Sequence, residues 1–237
     1  GCEPDEKVSA FISVKEFNED HYVVMATEKG MVKKTKLSAY SNPRKKGIYA
    51  VEIREGDRLI EARVSTGDND ILLGTRNGKS IRFSEEQIRA SGRKTMGVKG
   101  ITLSSEDDRL VGMLLIKREG GTVLVATEKG FGKRTEISQY RAQKRGGKGV
   151  LTMKTTDKVG KMVTIKEVVD KDDLMIITNQ GVLIRLPVAQ IRSIGRATQG
   201  VKLIKLGEGT LVSSITRIMS EEEDDENNNT KPADPKE

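Results

Sequence analysis

Four times along this chain a short apolar run closes on Thr, two polar residues and Gly. The four copies are Tyr22-Val-Val-Met-Ala-Thr-Glu-Lys-Gly30, Ile71-Leu-Leu-Gly-Thr-Arg-Asn-Gly78, Val123-Leu-Val-Ala-Thr-Glu-Lys-Gly130 and Leu174-Met-Ile-Ile-Thr-Asn-Gln-Gly181. Runs this short, partly β-branched and ended by a turn, predict strands buried on both faces. The polar pair before each glycine predicts a hairpin, because glycine reaches positive φ without steric cost. The glycines lie 48, 52 and 51 residues apart, a period that marks an array whose units stack to bury a shared core. A surface repeated along such an array is the expected seat of function, ahead of a catalytic pocket.

Each unit continues in the same way. A basic residue stands four positions past the first glycine, at Lys34, Arg82, Arg134 and Arg185, with Lys33 and Lys133 beside two of them. A basic loop then leads to a second glycine, at Gly47, Gly97, Gly149 and Gly200, after 17, 19, 19 and 19 residues. Alternation resumes at Ile48 to Ile53, Val98 to Leu103, Val150 to Lys154 and Val201 to Leu206. Roughly four strands per unit is the size of a propeller blade. The expected fold is all-β, with blades at about residues 21–68, 69–120, 121–172 and 173–219. No copy has the long 3.6-residue period that helical repeats require. Short helical connectors fit only around Ser84 to Ala90 and Val188 to Ser193.

Composition sets the class. With no Trp and 3% aromatic residues, the core must be built from Val, Ile, Leu and Met. No apolar stretch nears the ~20 residues of a membrane span, and the first residues lack the halves of a signal peptide. A cytoplasmic protein without membrane contact is expected. The single cysteine, Cys2, excludes a disulfide framework. The chain opens on Gly1 and not on Met, as expected of a piece of something longer.

The net charge of +7 is unevenly spread: residues 220–237 carry six net negative charges, which leaves +13 on residues 1–219. That acidic tail, with Glu221-Glu-Glu-Asp-Asp-Glu226 at its head, has too little apolar surface to offset its ordering entropy and is expected to be disordered. Solubility and regulation both fit it. The positive charge recurs in two sets. One follows each hairpin, and the other lies in the loop before the second glycine: Arg44-Lys45-Lys46, Arg93-Lys94, Lys144-Arg145 with Lys148, and Arg196. Equivalent positions of successive blades fall along one edge, so the two sets predict a basic stripe suited to a duplex. A cation on a strand face is also often simply solvated. Scarce aromatics disfavour single-strand stacking and favour double-stranded DNA held by its phosphates. Without a recognition helix or zinc finger, preference would come from how readily a site bends.

One loop differs from the others. In Gln143-Lys144-Arg145-Gly146-Gly147-Lys148-Gly149, adjacent glycines allow close approach to a phosphate and consecutive N–H groups suit an anion nest. As a bare pattern it also fits a flexible turn. All seven residues match the gyrase A box. With Glu128-Lys-Gly-Phe-Gly-Lys-Arg-Thr135 and Gly195-Arg-Ala-Thr-Gln-Gly-Val201, the chain resembles the C-terminal domain of the DNA gyrase A protein over residues 5 to about 217. The resemblance implies a β-pinwheel, a disc whose blades exchange strands and whose basic rim wraps duplex DNA. It also implies, as partners, the rest of gyrase A together with gyrase B, the holoenzyme that introduces negative supercoils. ATP and Mg belong to those other parts, and no cofactor is expected in this chain.

Two features depart from the family. Its disc usually has six blades with the box in the first, whereas four repeats are present here and the box-like loop is in the third. A chain that begins partway round the disc accounts for both, and residues 7–17 would then be a strand from a preceding blade. Catalysis is set aside, since one His, His21, and one Cys supply neither a triad nor a metal cluster. Gly74-Thr-Arg-Asn-Gly-Lys-Ser80 is one residue too short for a phosphate loop and sits in a hairpin. Asp57, Asp107 and Asp108 read as structural turn carboxylates. Two other functions stay open: the C-terminal domain of the topoisomerase IV counterpart of gyrase A, which has fewer blades and lacks a good box, and a propeller serving as a protein-interaction scaffold.

Overall fold

The apolar runs form strands with almost no exposed residues, as the pattern predicts. A computed structural model describes residues 7–117 and 120–219; the acidic tail lies outside the described residues. In the first repeat β1 (Tyr22–Thr27) turns back through Gly30 into β2 (Met31–Lys36), and β3 (Leu59–Ser65) pairs with the other edge of β1. The later repeats have the same plan: β4 (Asp70–Thr75), β5 (Lys79–Ser84) and β7 (Leu110–Ile116); β8 (Thr122–Thr127), β9 (Phe131–Glu136) and β11 (Met162–Val168); β12 (Asp173–Thr178), β13 (Leu183–Pro187) and β15 (Val212–Ile218). Every pairing among these strands is antiparallel. Single turns of 3-10 helix follow β2, β5, β9 and β13, so the two sequence-predicted connectors are joined by two more, at Leu37–Tyr40 and Ile137–Gln139.

The strand after each second glycine leaves its own repeat. β6 (Val98–Lys99), β10 (Val150–Leu151) and β14 (Val201–Lys202) each pair with the outer strand of the preceding sheet, giving the orders β3-β1-β2-β6, β10-β5-β4-β7, β11-β8-β9-β14 and β13-β12-β15. A repeat therefore holds three strands of its own sheet and lends a fourth. Backbone bonds repeat the exchange: Gly30 O accepts from Gly100 and Ile101, Gly78 O from Thr152 and Met153, and Gly130 O from Leu203 and Ile204.

The second glycine makes this exchange possible. At Gly149 φ is +68°, and a Cβ there would lie 2.3 Å from Ser80 O of the preceding blade. Gly97 and Gly200 meet Val32 O and Gly132 O in the same way, while at Gly47, in the first described blade, a Cβ would meet no described atom.

Apolar clusters fill the interfaces between successive blades. Val24 and Val32 meet Ile71, Ile81 and Phe83; Leu72 and Leu114 meet Val123, Tyr140 and Met162; Leu124 meets Leu174, Ile176 and Ile215. The inner strands β3, β7, β11 and β15 line an axial cavity, and β6, β10 and β14 form the perimeter.

The two ends correct the expectation for the first and last repeats. Residues 7–17 and Ile48 to Ile53 form no strand among the described residues. Ala10, Ile12 and Val14 instead lie with Ala50 and Val51 on the first blade's free face, over Val23, Met25 and Ala62. At the other end the buried run of β1, β4 and β8 becomes an alternation in β12, where only one face is covered.

Candidate nucleic-acid interface

The basic residues expected to form one stripe divide into two environments. The set that follows the hairpins is largely buried. Lys33 and Lys133 are 1% and 0% exposed, Lys34 6% and Arg134 8%. Each points into the next repeat. Lys33 Nζ donates to Arg93 O, and to Ala50 O at 3.0 Å. Lys133 Nζ donates to Arg196 O, to Gly195 O at 2.6 Å and to Thr198 Oγ1 at 3.0 Å. Arg82 reaches Ile137 O and Tyr140 O while pairing with Asp70; Arg134 reaches Ile191 O at 2.8 Å while pairing with Asp170. Lys34 forms a buried ion pair with Glu85 at 3.0 Å and also reaches Gly67 O. Backbone carbonyls of the same strands accept from Ser91, Gln143 and Ile194 of the following loops at 2.8–2.9 Å.

The recurrence of this set thus records how one blade grips the next. The fourth copy shows it by contrast: Arg185, in the last described blade, pairs with Asp173 and its side chain is 65% exposed among the described residues. Burial pushes the Lys33 and Lys133 ammonium groups down to about 8, and the neighbouring Arg93 and Arg196 add repulsion. Glu52 works against the shift at Lys33.

The loop set is mixed. Arg93, Arg145 and Arg196 occupy one position, four residues before the second glycine. Their Nη1 atoms donate to Tyr49, Lys99 and Leu151 carbonyls of the preceding loop at 3.5, 3.1 and 2.8 Å. They are half-buried staples between loops. Arg145 also bonds Gln87 O at 2.9 Å, and Gln87 Oε1 accepts from its backbone N–H. The remaining loop cations, Arg44, Lys45, Lys46, Lys94, Lys144 and Lys148, are exposed.

The third loop lacks a lysine clamp, because Ile81 stands where Lys33 and Lys133 stand in their blades. It is held by Thr102, whose Oγ1 donates to Gly146 O at 2.6 Å and whose N–H donates to Gly147 O at 2.9 Å, and by Gly146 N–H donating to Gly100 O at 2.6 Å. The expected anion nest is corrected to that extent: the Gly146 N–H faces the protein. Gln143 Nε2 is buried without a hydrogen-bond partner among the described residues.

Three exposed cations went unread in the sequence: Arg89, Arg141 and Arg192, each eight residues before the second glycine. Lys99 and Lys202, two residues after it, are exposed as well. Counting from the second glycine instead of the first brings all five into register. Their loops sit beside β6, β10 and β14, on the edge of each sheet farthest from the axis. The turn carboxylates are structural: Asp57 accepts from Lys29 N–H and Asp108 from Asn77 and Ser104. Among the described residues no group of His, Cys, Asp and Glu is arranged to hold a metal ion, and no helix is long and apolar enough to cross a membrane.

Four antiparallel sheets around an axis, each of the first three completed by a strand lent from the next repeat, define a β-propeller of the pinwheel kind. The family model of the DNA gyrase C-terminal domain, beta-propeller, matches residues 21–66, 69–117, 121–168 and 172–218, and the chain belongs to that family. The DNA gyrase A protein of Staphylococcus epidermidis is 46% identical over 222 residues, 93% of this chain and 25% of that protein. Its counterpart in Staphylococcus aureus is 45% identical over 221 residues, again covering 25% of that protein. The chain therefore spans a quarter of the length of these relatives. Among solved structures, a C-terminal domain of DNA topoisomerase IV superposes with a TM-score of 0.86 at 24% identity, covering 92% of this chain and 68% of that one. A DNA gyrase A C-terminal domain superposes at 0.82 and 21% identity, covering 92% and 72%. At those identities the likeness is one of fold.

Proposed function

We propose that this domain holds duplex DNA by its phosphates along the perimeter and bends it, as part of a DNA gyrase A protein. In this reading the holoenzyme, with ATP used in its other parts and gyrase B as partner, introduces negative supercoils into DNA in the bacterial cytoplasm. The chain itself would contribute no catalytic group. The observation that carries the reading is the register of exposed cations on successive perimeter loops: Arg89, Arg141 and Arg192 in three of them, joined by Arg44 to Lys46, Lys94, Lys144 and Lys148. With about eight phosphate contacts, log K should fall against log salt with a slope of roughly −7. Bending 20 to 30 base pairs costs on the order of 1–6 kcal/mol, which the added contacts must offset.

The topoisomerase IV fold is at least as close in shape. The box Gln143 to Gly149 and the identity to gyrase A proteins favour gyrase. The test is to relax closed circular plasmid with a topoisomerase I in the presence of the chain, remove the protein and read the linking number. A shift to positive writhe is expected. Tight, salt-sensitive binding with no shift would refute wrapping by these four blades and favour the topoisomerase IV reading.

A further inference from the structure

The strands lent between repeats all use one joint. Val98 and Lys99 lie opposite Val32 and Met31, Val150 and Leu151 opposite Ser80 and Lys79, and Val201 and Lys202 opposite Gly132 and Phe131. In each case the two residues after a second glycine pair with the two after a first glycine. By the same count Ile48 and Tyr49, after Gly47, are a fourth donor pair, and Val182 and Leu183, after Gly181, a fourth acceptor pair. Among the described residues neither pair is matched. β13 has no outer partner, and Tyr49, Val182 and Leu183 are exposed.

Both halves are already shaped for the exchange. Gly47 has a φ of +77°, between the +68° of Gly149 and the +82° of Gly97. The arm beyond it is held as the lent arms are. Glu52 N–H donates to Thr95 O at 3.1 Å, as Thr102 N–H does to Gly147 O and Lys154 N–H to Thr198 O at 2.9 Å. Arg93 reaches Tyr49 O as Arg145 reaches Lys99 O and Arg196 reaches Leu151 O. On the acceptor side Gly181 has the φ of Gly130, +77°. A Cβ at Gly181 would meet no described atom, whereas at Gly78 and Gly130 it would lie 2.2 Å from Met153 O and 2.9 Å from Ile204 O of the lent arms. The faces beside the joint correspond as well. Met175 and Ile177 of β12 stand where Leu124 and Ala126 of β8 pack against the fourth blade. Val23 and Met25 stand where Leu174 and Ile176 receive Leu124, and a groove of about 390 Å³, lined also by Ile12 and Val14, opens beside them.

We propose that this chain associates head to tail with a second copy of itself, the arm Gly47 to Ile53 of one copy completing the β13 sheet of the next. One chain has one such arm and one such edge, at opposite ends of its array, so the complement of each is found on another copy. Ile48 then lies opposite Leu183 and Tyr49 opposite Val182. Gly181 O accepts from Ala50 and Val51, as Gly130 O accepts from Leu203 and Ile204. Arg185, placed like Arg134, which reaches Ile191 O, and Arg82, which reaches Tyr140 O, meets Tyr40 O of the second copy. Such a contact is heterologous, and it adds copies until a ring closes or a filament grows. It continues the perimeter from one copy to the next and does not rest on the DNA reading.

The test is sedimentation velocity of the whole chain from low micromolar to several hundred micromolar. Species larger than a monomer are expected to grow with concentration and to persist at high salt, since the joint is made of backbone bonds and apolar contacts. Leu183→Lys charges the acceptor edge, and Gly47→Val disfavours the positive φ of the arm. Both positions are exposed, so both variants should keep the wild-type urea midpoint. Each alone is expected to weaken association at least tenfold, and Arg185→Ala several-fold. An equimolar mixture of Leu183→Lys and Gly47→Val should form a dimer that grows no further, because one intact arm meets one intact edge. A monomer throughout the range would overturn the proposal and leave the arm and the edge to some other blade. Association that survives in both variants, or a mixture that forms no dimer, would overturn it as well.

Discussion

The cations of the strands and those of the loops have the same charge and the same period, yet their surroundings are opposite. Lys33, Lys34, Lys133 and Arg134 are sealed between blades, each spent on carbonyls or a carboxylate of the next repeat. Lys144 and Lys148 project from the perimeter. In a repeat protein a recurrent charge has two available explanations, because the neighbouring repeat is as regular a partner as any external ligand. The last blade separates them. Arg185 has the sequence setting of Arg134, and its side chain is 65% exposed against 10% for Arg134, which among the described residues is the one of the two with a further repeat packed on it. Charge that disappears from the surface when a blade is added belongs to the fold.

The largest effect that would sharpen this contrast is at Lys34. Its partner Glu85 is fully buried and also accepts from Ser65 Oγ at 2.6 Å. Lys34→Met leaves that carboxylate without its cation and should cost about 3–5 kcal/mol in urea unfolding. Adding Glu85→Gln should recover much of the loss. If Lys34→Met costs less than about 1 kcal/mol, the strand set is not the grip between blades.

A smaller effect is expected at Lys133. Lys133→Met removes the charge-assisted bonds to Gly195 O and Arg196 O and leaves those carbonyls only their Thr198 donors, at about 1–3 kcal/mol. The cost should depend on pH with a definite sign. With the folded-state value pushed down to about 8 from the ordinary 10.5, both states are protonated below pH 8 and the burial penalty is fully present. Between pH 8 and 10.5 the unfolded chain holds a proton that the folded chain has released, so wild-type stability gains with rising pH, by up to about 1 kcal/mol per unit. The destabilisation by Lys133→Met should therefore grow from pH 7 to about pH 9.5. A difference that shrinks over that interval would mean that the ammonium is favoured by its carbonyls more than it is penalised by burial.

Much of this architecture is legible in the sequence. The run before Thr-x-x-Gly marks the doubly buried strands because a blade between two others has no exposed face, and the hairpin glycines mark their turns. The second glycine stands out as a landmark, but its reason does not, since only the approach of Ser80 O to Gly149 shows that the backbone there lies against another repeat. Burial of Lys33 and Lys133 is invisible for the same cause. A lysine surrounded by polar neighbours reads as exposed, and the carbonyls that receive it are about 60 residues away. Arg145 reads as a contact for DNA from its place in Gln143 to Gly149. Its guanidinium is turned toward Gln87 O and Lys99 O, acceptors that no local pattern reveals. Residues 7–17 have the composition of a strand and meet no sheet edge among the described residues.

The smallest effect on stability, and the one that breaks or completes the comparison, is expected in the third loop. Lys144 and Lys148 are exposed, so Lys144→Ala with Lys148→Ala should leave the urea midpoint within about 0.5 kcal/mol of wild type. The same pair should make the salt dependence of duplex binding shallower by about 1.8, which is ~0.9 for each phosphate no longer neutralised. Arg145→Ala should behave differently, because it removes both a loop cation and the staple to Gln87 and Lys99. It should lower stability and DNA affinity together, while Lys33→Met and Lys133→Met lower stability and leave the salt slope of the folded protein unchanged. A salt slope that falls as much for Lys133→Met as for the loop pair would mean that a buried ammonium is exposed to phosphate when DNA binds. The division into structural and DNA-facing charge would then fail at the blade where it is drawn most sharply.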